Sequence, residues 1–287
     1  MSTESAQSIT PQPDDTARPI SGQTVLIGTV GDPITQIRAP ELMNAWFAKN
    51  GIDAVWLPFH ATAESFPTLV NGFRHLRNLA GFTVTVPHKP AAYRLVDRLT
   101  ERARRVGAVN VVRPVENDLL LGDIVDGEGF IRGLRARGHD PHGANVWLVG
   151  AGGAGAAIAM ALVDAGIARI AISDIDAKRA AELVSRIDAI GGPVKAAAGA
   201  PPTRGLDIAI NATPLGMKPD DPLPFDPTSL DRRTLVAEVI MKPPRTALLE
   251  AAAERGSPTH EGRHMLDQQV QAYVDFFGLA KLARPAA

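Results

Sequence analysis

Val146-Trp147-Leu148-Val149-Gly150-Ala151-Gly152-Gly153-Ala154-Gly155 is an apolar run that ends in Gly-x-Gly-x-x-Gly. Four apolar residues suit a buried strand, and the Ala-rich stretch at 154–165 suits a helix. A glycine fingerprint between a strand and a helix points to a pyrophosphate held at the helix N-terminus. The first glycine allows the tight turn, the second lets the backbone approach the phosphates, and the third lets helix and strand pack closely. A flexible turn in any α/β domain is the plainer use of six small residues. The next strand, 170–173, stops at Asp174, about 20 positions after the fingerprint. An acidic residue there accepts from the ribose 2′-hydroxyl of NAD and repels the 2′-phosphate of NADP. NAD is therefore expected ahead of NADP, although Lys178 and Arg179 stand close enough in sequence to answer a phosphate. Capping the turn into the next helix is the plainer use of Asp174.

Working outward, helical spacing predicts helices at 178–190, 247–255 and 265–283, and apolar runs predict strands at 208–210 and 235–239. Upstream, strands are expected at 25–28, 54–58 and 82–86, with helices at 40–49 and 65–79 between them. A helix or helix pair follows at 91–106. Runs at 109–113 and 119–122 suit a strand pair, and a helix at 127–137 is expected with Asp126 as its cap. The βα rhythm occurs twice, so the fold class is α/β, with a mainly parallel sheet in each half.

The totals exclude several function classes. Thirty Lys and Arg face 31 Asp and Glu over 287 residues. That balance lacks the basic excess of a nucleic-acid groove and the polybasic run of a membrane-surface binder. No apolar stretch reaches the roughly 18 residues of a membrane span. The absence of cysteine removes disulfides, thiolate metal sites and cysteine nucleophiles, and it suits the cytoplasm. The histidines show no metal-ligand spacing, so no metal is expected. Residues 1–20, rich in Ser, Thr, Gln, Pro and Asp, are expected to be a disordered tail without the features of a signal peptide.

Three further segments carry chemistry-bearing residues: Phe82-Thr83-Val84-Thr85-Val86-Pro87-His88-Lys89, Gly107-Ala108-Val109-Asn110 and Gly122-Asp123-Ile124-Val125-Asp126-Gly127. In order and spacing they resemble the shikimate dehydrogenase family, which includes quinate dehydrogenases. Asn211-Ala212-Thr213-Pro214-Leu215-Gly216-Met217 is similar to that family's loop beside the nicotinamide. Met265, Leu266 and Gln269 resemble its last substrate-side helix. The resemblance runs from about residue 24 to 278.

It implies two α/β domains with a cleft between them. Residues 21–125 with 263–287 would form the N-terminal substrate-binding domain, and 126–262 the Rossmann-like dinucleotide domain. Lys89 matches the catalytic lysine and Asp126 its partner carboxylate. Thr85, Asn110 and Gln269 match residues that touch substrate. Gly150, Ala151, Gly152, Gly153, Ala154, Gly155, Asp174, Asn211, Ala212, Thr213 and Met217 match the dinucleotide side. The implied activity is hydride transfer between NAD or NADP and a ring hydroxyl of a shikimate- or quinate-like cyclic hydroxy acid, by a soluble enzyme that could be a homodimer. Such oxidation also removes the hydroxyl proton, which needs a positioned acid/base. Lys89 is assigned the proton and Asp126 the orienting role, while His88 is expected to be structural. Each residue has a blander use alone: Lys89 an exposed lysine, Asp126 a helix cap, Asn110 a turn residue, Gln269 a solvated helix residue.

The departures concern substrate. Ile37 and Ala39 stand where the family carries two serines that hold the substrate carboxylate. Ile124-Val125 replaces an Asn-Thr pair, and Met241 replaces a tyrosine. Arg38 is the candidate for a compensating bidentate grip on a carboxylate. The enzyme would then still take shikimate or quinate; alternatively it takes a different cyclic polyol or an aminated analogue. From another class, a non-catalytic ligand-sensing module on the same fold would have no use for Lys89 and Asp126.

Overall fold

A computed structural model describes residues 20–199 and 205–282. Apart from Ile20, the expected tail lies outside the described residues. The chain opens with β1 (Val25–Gly31), α1 (Ala39–Lys49), β2 (Ala54–His60), α2 (Phe66–Phe73), β3 (Leu79–Val84), α3 (Lys89–Leu95), β4 (Arg98–Leu99), α4 (Glu101–Val106), β5 (Val111–Pro114) and β6 (Leu120–Asp123). Their sheet has the order β2-β1-β3-β5-β6-β4. β1 is parallel to β2 and β3, and β4 to β6, while β5 is antiparallel to both β3 and β6. Helices cover both faces of β1, so its burial is nearly continuous rather than alternating.

The helix α5 (Asp126–Ala136) leads to a second βα series: β7 (Asn145–Val149), α6 (Gly153–Asp164), β8 (Arg169–Ser173), α7 (Ala177–Ile190), β9 (Lys195–Ala198), β10 (Ile208–Asn211), β11 (Leu235–Glu238), α8 (Ala247–Glu254) and β12 (Thr259–His260). This sheet, β12-β11-β10-β7-β8-β9, is parallel throughout. Strand order reverses between β10 and β7, the switch point beside which open α/β sheets bind ligands. The glycine turn leaves β7 at that point.

The chain then returns through α9 (Arg263–Asp267) and α10 (Val270–Phe277). α5 packs against α6 on one side and α9 on the other. Two glycines make this approach possible. A Cβ on Gly127 would lie 2.2 Å from the Ala157 carbonyl oxygen, and one on Gly129 would lie 2.7 Å from that of Met265. α10 covers the first sheet: the rings of Tyr273 and Phe277 sit 5.4 and 5.8 Å from that of Trp56, in a cluster with Ile27, Met43 and Phe47. Among the described residues no helix is long and apolar enough to cross a membrane.

The structure departs from the sequence expectations in five places, one of them β4, which pairs with β6 inside the stretch expected as a helix or helix pair at 91–106. The helix expected at 65–79 stops at Phe73, because Leu79 is taken into β3 opposite Leu26. The helix expected at 265–283 breaks after Asp267, since α9 packs on α5 while α10 packs on the first sheet. The short edge strands β9 and β12 were missing from the expected set; Lys-Ala-Ala-Ala at 195–198 carries no β-branched signal. Asp126 does not cap α5 but is its first residue, and its side chain makes no cap hydrogen bond.

Phe277→Ala tests whether the C-terminal helix belongs to the first sheet's core. Removing a buried phenylalanine costs about 3–5 kcal/mol, read as a lowered urea midpoint. A loss below about 1 kcal/mol, typical of a surface change, would detach α10 from that core.

Candidate active site

A tight turn and two helix starts converge on Asp126. After β3, residues 85–87 turn the chain into α3. His88 fixes that turn: it is buried, its ring stacks on Phe66 at 4.4 Å, and its Nε2 lies 2.7 Å from the Ala61 carbonyl oxygen. Its expected structural role is the one it has. Lys89 follows as the first residue of α3, with its side chain 12% exposed. Its Nζ pairs with Asp126 Oδ2, the carboxylate being 5% exposed. Asn110 Nδ2 donates to Asp126 Oδ1 at 2.7 Å, and Gln269 Nε2 donates to the same oxygen at 3.0 Å. Asn110 Oδ1 in turn accepts from the Val125 amide at 2.9 Å, which fixes the start of α5.

Tyr273 is a member of this network that sequence reasoning missed. Its hydroxyl donates to Gln269 Oε1 at 2.5 Å. Burial, with a smaller contribution from the Asp126 charge, pushes the phenol above its ordinary range, so it stays a donor. The i,i+4 spacing of Gln269 and Tyr273 on one helical face was the available signal. Each amide is thereby held at both ends, and the carboxylate has a partner on each oxygen, as a buried charge requires.

The glycine turn has the shape a dinucleotide needs. Gly150 has φ +104°, a conformation that favours glycine. A Cβ on Gly155 would lie 1.9 Å from the Gly150 carbonyl oxygen, so the third glycine allows helix and turn to touch. A Cβ on Gly152 would meet nothing within 4 Å, so this backbone faces open space. The first-turn amides of α6, a 12-residue helix, begin beside it. Asp174 Oδ2 accepts from the Ala151 amide at 2.7 Å, and Oδ1 from the Asp176 amide at 2.9 Å. It therefore braces the turn. Asn211 is fully buried: its Oδ1 accepts from Thr213 Oγ1 at 2.7 Å and its Nδ2 donates to the Leu215 carbonyl at 2.9 Å. It shapes the 211–217 loop from within.

The two halves meet at a cleft of about 990 Å³, part of it continuous with solvent. Lys89, Asp126, Asn110, Thr85 and Gln269 line it from one side, and Ala154, Ala212, Thr213 and Met217 from the other. Where the start of α6 passes Lys89, a Cβ on Gly153 would lie 3.1 Å from Lys89 Cβ. Ile37, Arg38, Ala39 and Met241 complete the wall. The Arg38 side chain is 40% exposed, and its Nε lies 3.8 Å from Glu41. Among the described residues no group of three or more His, Asp or Glu could hold a metal ion.

Glu238 lies at the end of β11, below the cleft wall, with no exposed surface. Its Oε2 accepts from Thr246 Oγ1 at 2.7 Å, while Oε1 has no partner among the described residues. Thr246 in turn abuts Gly216 of the 211–217 loop. Burial pushes the Glu238 carboxyl up to about 7; the Thr246 hydrogen bond opposes the rise and the Glu261 charge adds to it.

Residues 29–112 match the family model for the shikimate dehydrogenase substrate binding domain. The chain is 40% identical over 251 residues to a shikimate dehydrogenase (NADP(+)) of Rubrobacter xylanophilus, spanning 86% of this chain and 88% of the relative. A crystal structure of shikimate 5-dehydrogenase from Listeria monocytogenes with shikimate and NAD aligns with a TM-score of 0.80 at 32% identity, over 93% of this chain and 97% of that one. The ligand-free 5-ketofructose reductase of a Gluconobacter strain aligns with a TM-score of 0.77 at 33% identity, over 92% and 98%.

Glu238 gives a pH test. Its ordinary value is 4.5 and its folded value about 7. Below pH 4.5 it is protonated in both states. Between 4.5 and 7 only the unfolded chain releases the proton, so stability falls by about 3 kcal/mol and then levels. Glu238→Gln has no such proton. The variant's stability relative to wild type should rise by that amount between pH 4.5 and 7 in urea titrations; parallel profiles would contradict the buried carboxyl.

Proposed function

Since the chain belongs to the shikimate dehydrogenase family, we propose that it is an NAD(P)-dependent oxidoreductase acting on a ring hydroxyl of a shikimate-like cyclic hydroxy compound. The observation that carries this reading is the Lys89–Asp126 pair lining the same cleft as Ala154, Ala212, Thr213 and Met217. In this reading residues 21–125 with 263–287 hold the substrate and 126–262 the dinucleotide.

The dinucleotide, when bound, supplies the hydride acceptor or donor. The glycine turn and the first amides of α6 would hold its phosphates, Asp174 its ribose, and Ala212, Thr213 and Met217 would adjoin its nicotinamide. NAD is the preferred form in this account. Ile175 is fully exposed between Asp174 and Asp176 and offers no positive charge. The nearby cations already face carboxylates, Lys178 at 3.9 Å from Glu182 and Arg179 at 3.4 Å from Asp176.

Lys89 Nζ handles the proton. In the oxidative direction its neutral form takes the hydroxyl proton as the carbonyl forms; in the reductive direction its ammonium returns that proton to the forming alkoxide. Asp126 holds the amine in place, and Asn110 and Gln269 hold Asp126, so the carboxylate cannot swing toward the substrate. Lys89 and Asp126 are 12% and 5% exposed, and limited access of water strengthens the contacts between them. A cytoplasmic location suits the cysteine-free sequence, and a homodimer completes the reading, open to a light-scattering measurement.

Lys89→Ala should lower kcat by about 10²–10⁴ with dinucleotide affinity retained, followed at the NADH absorbance band; unchanged turnover would remove Lys89 from the chemistry. Wild type should show a kcat/KM at least about tenfold higher with NAD than with NADP, as charge repulsion at a 2′-phosphate implies. A preference for NADP would overturn the ribose assignment.

A further inference from the structure

The cleft wall offers donors unevenly. Around Asp126, hydrogens remain for a bound ring: Lys89 Nζ uses one of three on the carboxylate, and the Asn110 and Gln269 amides each use one of two. Thr85 adds a hydroxyl to the lining. The part of the wall made by residues 36–39 and 240–242 differs. Ile37, Ala39, Ile240 and Met241 present no polar side-chain atom other than the Met sulfur. Gln36 turns its amide nitrogen onto the Pro33 carbonyl at 2.5 Å, which leaves Oε1 buried with no partner among the described residues.

The two cations at this end are already engaged. Arg38 and Lys242 each lie 3.8 Å from Glu41, one at either carboxylate oxygen. Glu41 also sits in the first turn of α1, where Pro40 contributes no amide hydrogen. A helix start that would otherwise attract an anion thus carries its own carboxylate. Deeper in, the Thr29 and Thr83 hydroxyls bond each other at 2.8 Å, and Thr29 Oγ1 accepts from Trp56 Nε1 at 2.8 Å.

We propose that the ring accepted here presents an uncharged group to the wall of Ile37, Ala39 and Met241, making the substrate a neutral cyclic polyol or cyclic hydroxyketone rather than a ring carboxylate. A carboxylate at that wall would lose its water, find side-chain donors only on Arg38 and Lys242, whose charges already face Glu41, and lie against the unpartnered Gln36 Oε1. A hydroxyl or hydroxymethyl group there loses far less hydration and can donate to Gln36 Oε1, giving the orphaned oxygen its partner. The inference rests on the dehydrogenase reading above and narrows its substrate class.

The test compares ligands that differ only in that group. Shikimate, its carboxamide and its hydroxymethyl analogue are assayed with the full-length enzyme and NAD or NADP, together with cyclohexane polyols. The neutral analogues should exceed shikimate in kcat/KM by about tenfold or more, chiefly through KM. Glu41→Gln, which removes the charge that Arg38 and Lys242 face, should shift the shikimate-to-carboxamide ratio toward shikimate by about threefold or more. Shikimate outperforming both neutral analogues, with Arg38→Ala raising its KM, would overturn the inference and leave the dehydrogenase reading intact. No turnover of any compound with either dinucleotide would bring down both.

Discussion

The carboxylate of Asp126 is held from three parts of the chain at once. Lys89 reaches it from the start of α3, Asn110 from the approach to β5, and Gln269 from the start of α10, 143 positions away. A buried carboxylate must have such partners or it destabilises the fold by several kcal/mol. The same bonds therefore place the amine and join the first sheet to the returning C-terminal helices. Removing any one partner leaves a polar group enclosed without compensation, so the geometry of the pair is fixed by the cost of disturbing it.

Backbone packing sets where this pair can stand. α5 begins at Asp126 and then passes between α6 and α9 through close contacts that only glycine at 127 and 129 permits. The turn before α6 runs along Lys89 at Gly153. The helix that carries the carboxylate is thus locked to the helix whose N-terminus suits a pyrophosphate. The Lys89–Asp126 pair and the glycine turn share one packed framework, while the wall at residues 36–39 and 240–242 comes from loops and the start of α1. Such an arrangement lets specificity vary without moving the chemistry.

Much of this was legible in the sequence because it rests on local signals. The strand–turn–helix around Gly150–Gly155, the strand ending at Asp174 and the order of the Lys89, Asn110 and Asp126 motifs are all contained in short segments. What was hidden depends on distant partners. The position of Asp126 was predicted, but its assignment as a helix cap failed because Asn110 and Gln269, far away in sequence, claim its oxygens. Tyr273 was missed because it reaches Asp126 only through Gln269, a link that the i,i+4 spacing alone does not specify. Arg38 was legible as a cation near the cleft, but its engagement with Glu41 on α1, alongside Lys242 from after β11, was not. The shortened helix ending at Phe73 reflects the same limit: helical periodicity continued past the point where sheet pairing took over.

The most direct test of the central claim is a double-mutant cycle on kcat/KM with Lys89→Met, Asp126→Asn and the two combined. If amine and carboxylate act as one unit, the double variant will be scarcely worse than the more damaged single variant, because the second substitution removes a function already lost. Losses that simply add would mean that the two groups act independently, and the account built on their pairing would fail.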